Sequence, residues 1–162
     1  MTGSRSPDTR QGGMMPALVI TRGLPGSGKT TYAKRWVAED PERRFRVNRD
    51  DLRAMAHGHR VGVRWQEDAV TTAQKAQVLA LLRAGLSVIA DDTNLPDASV
   101  EEWRRLAEQA EAHLVAVDLR DVPVETCIAR DTARGAAGGR LVGGDVIRRI
   151  ADEGRCRVLD AG

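Results

Sequence analysis

No stretch of the 162 residues approaches the roughly 20 consecutive apolar residues that a membrane-spanning helix needs, so no bilayer crossing is expected. The N-terminus carries no apolar signal core, and secretion is not expected either. Cysteine is scarce. Cys127 and Cys156 stand alone without metal-ligand spacing and read as reduced thiols of a cytoplasmic protein. Net charge is only +2, which gives no argument from bulk charge for a nucleic-acid ligand. Lysine is scarce too: Lys29, Lys34 and Lys75 are three of the 25 basic residues, and the rest are arginine. Arginine suits phosphate recognition through its forked donors, although a GC-rich coding sequence would produce the same excess.

What is present is an ordinary globular composition, 41% hydrophobic and 30% charged, without internal repeats. Residues 1–14 are polar, with Gly, Ser, Pro and Thr, and read as a flexible tail; residues 15–162 read as one domain. Within it, Gly23-Leu24-Pro25-Gly26-Ser27-Gly28-Lys29-Thr30 is G-x-x-x-x-G-K-[ST], the phosphate-binding loop. An apolar run, Ala17 to Ile20, precedes it and a helical pattern follows, the context this motif requires. Glycines let successive N–H groups converge on one hollow, and the helix N-terminus behind adds partial positive charge. Gly23, Pro25, Gly26, Ser27, Gly28, Lys29, Thr30 and Thr31 are therefore the expected contacts of a triphosphate, with Lys29 on the β- and γ-phosphates and the Thr30 hydroxyl on Mg²⁺.

Onward from the loop, the pattern predicts a helix from Lys29 to about Glu39 that buries Ala33, Trp36 and Val37, then a strand Phe45–Asn48 whose end should lie beside the phosphate loop. Residues 56–65 read as a mobile segment. A long helix follows over Trp65–Arg83, its stripe of Ala69, Ala73, Ala76 and Ala80 permitting close packing. Ser87–Asp91 reads as a buried strand, and Ser99–Ala110 as a helix with a Ser99–Glu102 capping box. His113–Asp118 reads as another strand. A helix after Pro123, broken at Gly135–Gly139, and a last helix from near Asp145 complete the chain. Strands alternating with helices predict an α/β fold, a parallel sheet flanked by helices on both faces, with ligands at the C-terminal strand ends.

Four groups of residues fall there. Asp92, or its neighbour Asp91, can serve as the carboxylate on the metal side; alternation along a strand lets only one of them face the loop, and Asp92 is the favoured one. One of Asp50 and Asp51 can take the proton of an attacking hydroxyl, and the other can cap the next helix; two structural acids would read the same way. Arg130 and Arg134, spaced i, i+4, share a helix face beside a glycine-rich hinge, as lid arginines or as a solvated ion-paired face. Arg49, Arg53, Arg60 and Arg64, with Trp65 and two histidines, can line a channel for a phosphodiester chain or remain a solvated loop.

The phosphate loop, Val47-Asn48-Arg49-Asp50-Asp51-Leu52-Arg53, Val88-Ile89-Ala90-Asp91-Asp92-Thr93-Asn94-Leu95, and Ala129-Arg130-Asp131-Thr132-Ala133-Arg134-Gly135 together resemble, in order and spacing, the 5′-kinase domain of phage-type polynucleotide kinase. The resemblance runs from about Ala17 to the C-terminus and implies a P-loop NTPase fold with a C-terminal helical lid. It implies Asp50 as general base for the 5′-hydroxyl and Arg53 on the acceptor's 3′-side phosphate. Asp92 and Thr93 belong to the Asp-Thr-Asn block of the substrate site, and Arg134, with Arg130, closes on the donor phosphates. ATP and Mg²⁺ are the implied donor and ion, and 5′-OH ends of DNA or RNA the implied acceptor. No Asp-x-Asp-x-Thr phosphatase motif follows, so 3′-end healing is not expected. No protein partner is identifiable from the residues, a separate phosphatase or ligase being the kind such a kinase would work with. The residues beyond Gly135, Arg140 among them, receive no role. A small-molecule kinase on the same donor site and a nucleotide-binding module without transfer are the two rival readings.

Overall fold

The computed structural model describes residues 15–58 and 61–159, the side chains of 155–159 excepted. The expected tail, His59, Arg60 and the thiol of Cys156 lie outside the described residues.

Ala17–Arg22 (β1) is buried at every interior position, Leu18 to Ile20 being apolar and Thr21 polar, because both of its faces are covered. Leu18 and Ile20 point to one side, into the main core; Val19 points to the other, against Ala33 of Lys29–Ala38 (α1), with Tyr32, Trp36 and Val37 around it. Arg44–Val47 (β2) ends at Asn48, whose side chain accepts from the Asp51 N–H and caps Arg49–His57 (α2). This segment is helix rather than loop, and Asn48 rather than either aspartate is the cap.

Arg64–Arg83 (α3) buries Val70, Gln74, Val78 and Leu82, one residue per turn. The alanine stripe expected to pack closely is exposed instead. Alanine on this helix serves helix propensity on the solvent side, and the packing row is the one flanking it. Ser87–Ala90 (β3) follows, then Asp97–Gln109 (α4), which starts ahead of Ser99 and so carries that residue inside the helix rather than in a capping box. His113–Asp118 (β4), Val124–Ala136 (α5) and Gly144–Leu159 (α6) complete the chain.

The four strands are parallel in the order β2-β3-β1-β4, with α3 and α4 over one face and α1 over the other. β1 therefore lies between β3 and β4, not beside β2. The long excursion through α2 and α3 lets β3 slot between the first two strands, and the acids after β3 are what stand beside the phosphate loop. A third cluster, Leu24, Cys127 and Ile147, packs α5 and α6 directly on that loop. Among the described residues no helix is long and apolar enough to cross a membrane.

Candidate active site

The phosphate loop leaves the C-terminal end of β1 and turns at Gly26 (φ 84°) and Gly28 (φ 103°), a backbone region that residues with a Cβ rarely adopt. A Cβ at Gly26 would stand 2.2 Å from the backbone oxygen of Cys127, so this glycine is also where α5 touches the loop. The loop's entry is pinned by the Gly23 N–H donating to the Thr93 carbonyl at 3.0 Å. Thr93, expected in the substrate site, thus contributes its main chain here; its side chain is exposed.

Lys29 is buried, and its Nζ donates to the carbonyls of Gly23 (2.9 Å) and Leu24 (2.7 Å). Burial lowers its pKa to about 8, against the opposing pull of Asp91; the nearby guanidinium of Arg134 depresses it further. Arg130 reaches the loop from α5, its Nη1 donating to the Ser27 carbonyl at 3.4 Å. Beside it opens a cleft of about 310 Å³ lined by Gly28, Thr31, Tyr32, Arg35 and Arg130. The Arg35 guanidinium lies 5.7 Å from the centre of the Tyr32 ring. The size of the cleft, its aromatic face and its cations suit the base and ribose of a nucleotide whose phosphates lie in the loop.

The two acids after β3 diverge. Asp91 is buried with Oδ2 held by Arg46 Nε at 3.0 Å, and its Oδ1 is buried without a hydrogen-bond partner among the described residues. Burial raises its pKa, while Arg46 and the nearby Thr30 hydroxyl oppose the rise. Asp92 turns the other way. Its carboxylate accepts from Gln74 Nε2 and from the Arg49 N–H (3.4 Å), and burial pushes its pKa up as well. The carboxylate on the side of Lys29 and Thr30 is therefore that of Asp91, and Asp92 braces α2 and α3 against the sheet.

Along the first turn of α2, Asp51 pairs with Arg46 and so belongs to the scaffold that holds Asp91. Asp50 faces away from it. One of its oxygens accepts from Arg53 Nη1 and the other pairs with Arg140 Nη1. Arg53 is 7% exposed and gripped by Glu67, which takes its Nε at 2.8 Å and its Nη2 at 2.6 Å. Glu67 also accepts from Arg49 (3.2 Å) and the Gly62 N–H (3.0 Å), and the hydrogen bond from Arg53 holds its pKa down at about 2. Just beyond, Val63 and Trp65 are exposed, Trp65 by 70%.

The α5 arginines do not act as a matched pair. Arg134 pairs with the buried carboxylate of Asp131 and donates from Nε to the Arg140 carbonyl at 2.7 Å, so it fastens the connection between α5 and α6. Asp131 also accepts from the N–H groups of Val142 (3.0 Å) and Gly143 (2.8 Å).

Arg46, Glu67, Gln74, Asp131 and Arg140 were not singled out from the sequence. Gln74 carried a visible signal, a polar residue within the apolar row of Val70, Val78 and Leu82. Asp131 stood three residues before Arg134 on one helix, a pairing the spacing allowed, whereas Arg46, Glu67 and Arg140 reach Asp91, Arg53 and Asp50 across separations from which no local pattern could be read.

Comparison with known proteins agrees with this geometry. A baculovirus protein of Autographa californica nuclear polyhedrosis virus, named "Putative bifunctional polynucleotide kinase/RNA ligase", is 30% identical over 130 residues, covering 72% of this chain and 18% of its own length. A chain in the structure of the Pnkp1/Rnl/Hen1 RNA repair complex superposes with a TM-score of 0.79 at 29% identity, over 90% of this chain and 46% of that one. The APS kinase CysC of Mycobacterium tuberculosis, 22% identical with a TM-score of 0.58 over 76% of this chain and 75% of that one, shares the fold. The chain thus spans less than half the length of the first two of these relatives, and the resemblance to polynucleotide kinase is borne out by both. The profile of the AAA_33 family, an AAA domain, matches residues 18–153. With its phosphate loop, parallel sheet and extent of match in agreement, the chain belongs to the AAA_33 family of AAA domains.

Proposed function

We propose that this domain is a polynucleotide 5′-hydroxyl kinase, moving the γ-phosphoryl group of ATP to the 5′-OH end of DNA or RNA. The observation that carries this reading is Asp50: an exposed carboxylate at the start of a helix, held between Arg53 and Arg140, in a chain that also carries a phosphate-binding loop. A domain that only bound nucleotide would need no such group. In the reaction the 5′-oxygen attacks the γ-phosphorus in line, the bond from that phosphorus to the β–γ bridging oxygen breaks, and ADP leaves. Asp50 accepts the hydroxyl proton. Lys29 and Arg130 stabilise charge on the donor phosphates, with Arg134 close behind, and Arg53 fixes Asp50 while offering its remaining N–H groups to the acceptor's phosphate.

The residues fit Mg²⁺. Asp91 Oδ1 is a buried oxygen with no hydrogen-bond partner among the described residues, the Thr30 hydroxyl lies near the same carboxylate, and an oxygen set of this kind suits a hard cation. The ion would neutralise charge on the β- and γ-phosphates when bound. Asp91, rather than Asp92, is accordingly the acid we assign to it.

A nucleic-acid acceptor is favoured over a small molecule by the exposed start of α3. Trp65, 70% exposed and two residues before Glu67 in sequence, offers a stacking face that an enclosed small-molecule pocket has no use for. A cytoplasmic site of action and a ligase partner are consistent with the reduced-thiol reading and with the names of the relatives. The test is transfer of labelled phosphate from ATP, with Mg²⁺, to a panel of 5′-OH oligonucleotides, nucleosides and sugars. The expected result is labelling of the oligonucleotides. Labelling confined to a small molecule would replace this reading with the small-molecule kinase, and tight ATP binding without transfer to any acceptor would leave a binding module.

A further inference from the structure

Arg140 stands on the connection between α5 and α6 and pairs, through Nη1, with Asp50 Oδ2. Arg53 Nη1 holds the other oxygen. The two arginines are not equivalent. Arg53 is 7% exposed, and all three of its nitrogens are engaged, Nε and Nη2 by Glu67 and Nη1 by Asp50. The Arg140 side chain is 49% exposed, and Asp50 is its one ion-pair partner among the described residues. Its main chain, by contrast, is fastened: the Arg140 carbonyl accepts from Arg134 Nε at 2.7 Å, and two and three residues on, Val142 and Gly143 donate to buried Asp131. A fixed backbone thus presents a guanidinium whose side chain alone can turn.

An Asp50 oxygen that an arginine holds is a weaker proton acceptor than one the arginine has left. Arg53 is locked by Glu67, so the cation able to leave is Arg140. An arginine fork exchanges a carboxylate for a phosphate readily, because both offer two oxygens at matching spacing.

Building on the kinase reading above, we infer that Arg140 is a second acceptor-phosphate residue: its guanidinium leaves Asp50 Oδ2 for the phosphate on the 3′ side of the acceptor's terminal nucleotide, and so uncovers the oxygen that accepts the 5′-hydroxyl proton. Acceptor recognition and exposure of the base are then one movement. A nucleoside without that phosphate leaves Arg140 on Asp50 and the base covered, so selectivity for phosphate-bearing acceptors appears in kcat as well as in KM.

The experiment compares wild type, Arg140→Ala and Arg140→Lys in steady-state transfer from ATP to a 5′-OH oligonucleotide, a nucleoside 3′-monophosphate and the unphosphorylated nucleoside. In Arg140→Ala the KM for the two phosphate-bearing acceptors is expected to rise about tenfold or more, the range of a lost charged hydrogen bond. The kcat on the plain nucleoside is expected to hold or rise, since its base is no longer covered. Arg140→Lys, which keeps the charge without the fork, is expected to recover part of the KM. An unchanged ratio of kcat/KM between nucleoside 3′-monophosphate and nucleoside, or equal losses on both, would overturn the inference while leaving the kinase reading intact, provided wild type labels the oligonucleotide. Wild type that labels no polynucleotide overturns the kinase reading and this inference with it.

Discussion

Lys29 is a buried ammonium whose two hydrogen bonds go to carbonyls of its own loop, an arrangement that keeps it in place but leaves its charge poorly solvated. With a pKa of about 8, it begins to lose its proton within the range where most kinases are assayed. The sign is direct: the protonated form binds phosphate, so triphosphate affinity is full below pH 8 and falls as pH rises through it, by up to about tenfold per pH unit until the bound-state pKa is reached. Titrating a fluorescent ATP analogue between pH 7 and 9.5 checks this, and Lys29→Arg, which cannot deprotonate there, is expected to flatten the profile. On the acceptor side, Asp50→Asn is expected to cost about 10²–10⁴ in kcat with ATP affinity little changed. Asp51→Asn, at a residue tied to Arg46, is expected to retain most of the kcat. Rapid-quench measurement of the transfer step separates the two, and a larger loss in Asp51→Asn would reverse the assignment.

Helix α2 was missed as an element, and the reason is instructive. Its sequence, Arg49 to His57, is short and strongly polar, with Leu52 alone packing on the hydrophobic core and its one fully buried position taken by Arg53. What holds it is Glu67 at the start of α3, paired with Arg53 and Arg49 and capping the Gly62 N–H. The strands, the phosphate loop, α1 and the order of elements were legible, because local apolar runs and a fixed motif specify them. The choice between Asp91 and Asp92 was not, since it turns on which face of β3 meets Thr30 and which meets Gln74. Glu67 also makes a quantitative expectation. Its folded pKa of about 2 lies below the unfolded 4.5, so its contribution to stability is complete above pH 4.5 and is lost as pH falls toward 2. Allowing for partial exposure, that contribution is on the order of 1–3 kcal/mol. Glu67→Gln should therefore lower the denaturation midpoint at pH 7 and narrow its gap to wild type near pH 2–3. It should also raise the acceptor KM by loosening Arg53. Urea titrations at the two pH values, with acceptor kinetics, measure both.

At the scale of the whole molecule, the two halves of the site rest on different parts of the chain. The donor half is built on β1, its loop and α5. Gly26 is the contact where a Cβ would meet the Cys127 backbone, so Gly26→Ala is expected to disturb donor binding by displacing α5. In the proposed reaction the acceptor half is carried by α2, the start of α3 and Arg140, and α2 reaches the sheet through Leu52 on the core, the Arg46–Asp51 ion pair and the Arg49 N–H on Asp92. A polynucleotide longer than one nucleotide must run outward from Asp50, and the start of α3, which holds Arg53 through Glu67, also carries the exposed ring of Trp65 next to exposed Arg64. Stacking on an aromatic ring contributes about 1–3 kcal/mol per base. Trp65→Ala is therefore expected to raise the KM for oligonucleotides by about 5- to 100-fold. Nucleoside 3′-monophosphate, too short to reach the ring, should be unaffected, and kcat should stay constant for both. The exposure of Trp65 means that its removal leaves no cavity, so a fall in stability is not expected to confound the comparison. Acceptors of one to eight nucleotides, assayed at saturating ATP, give the decisive curve: wild type should gain affinity with length over the first few nucleotides, and the variant should not. A variant that follows the wild-type curve would remove Trp65 from the acceptor path and direct the strand along another route from Asp50.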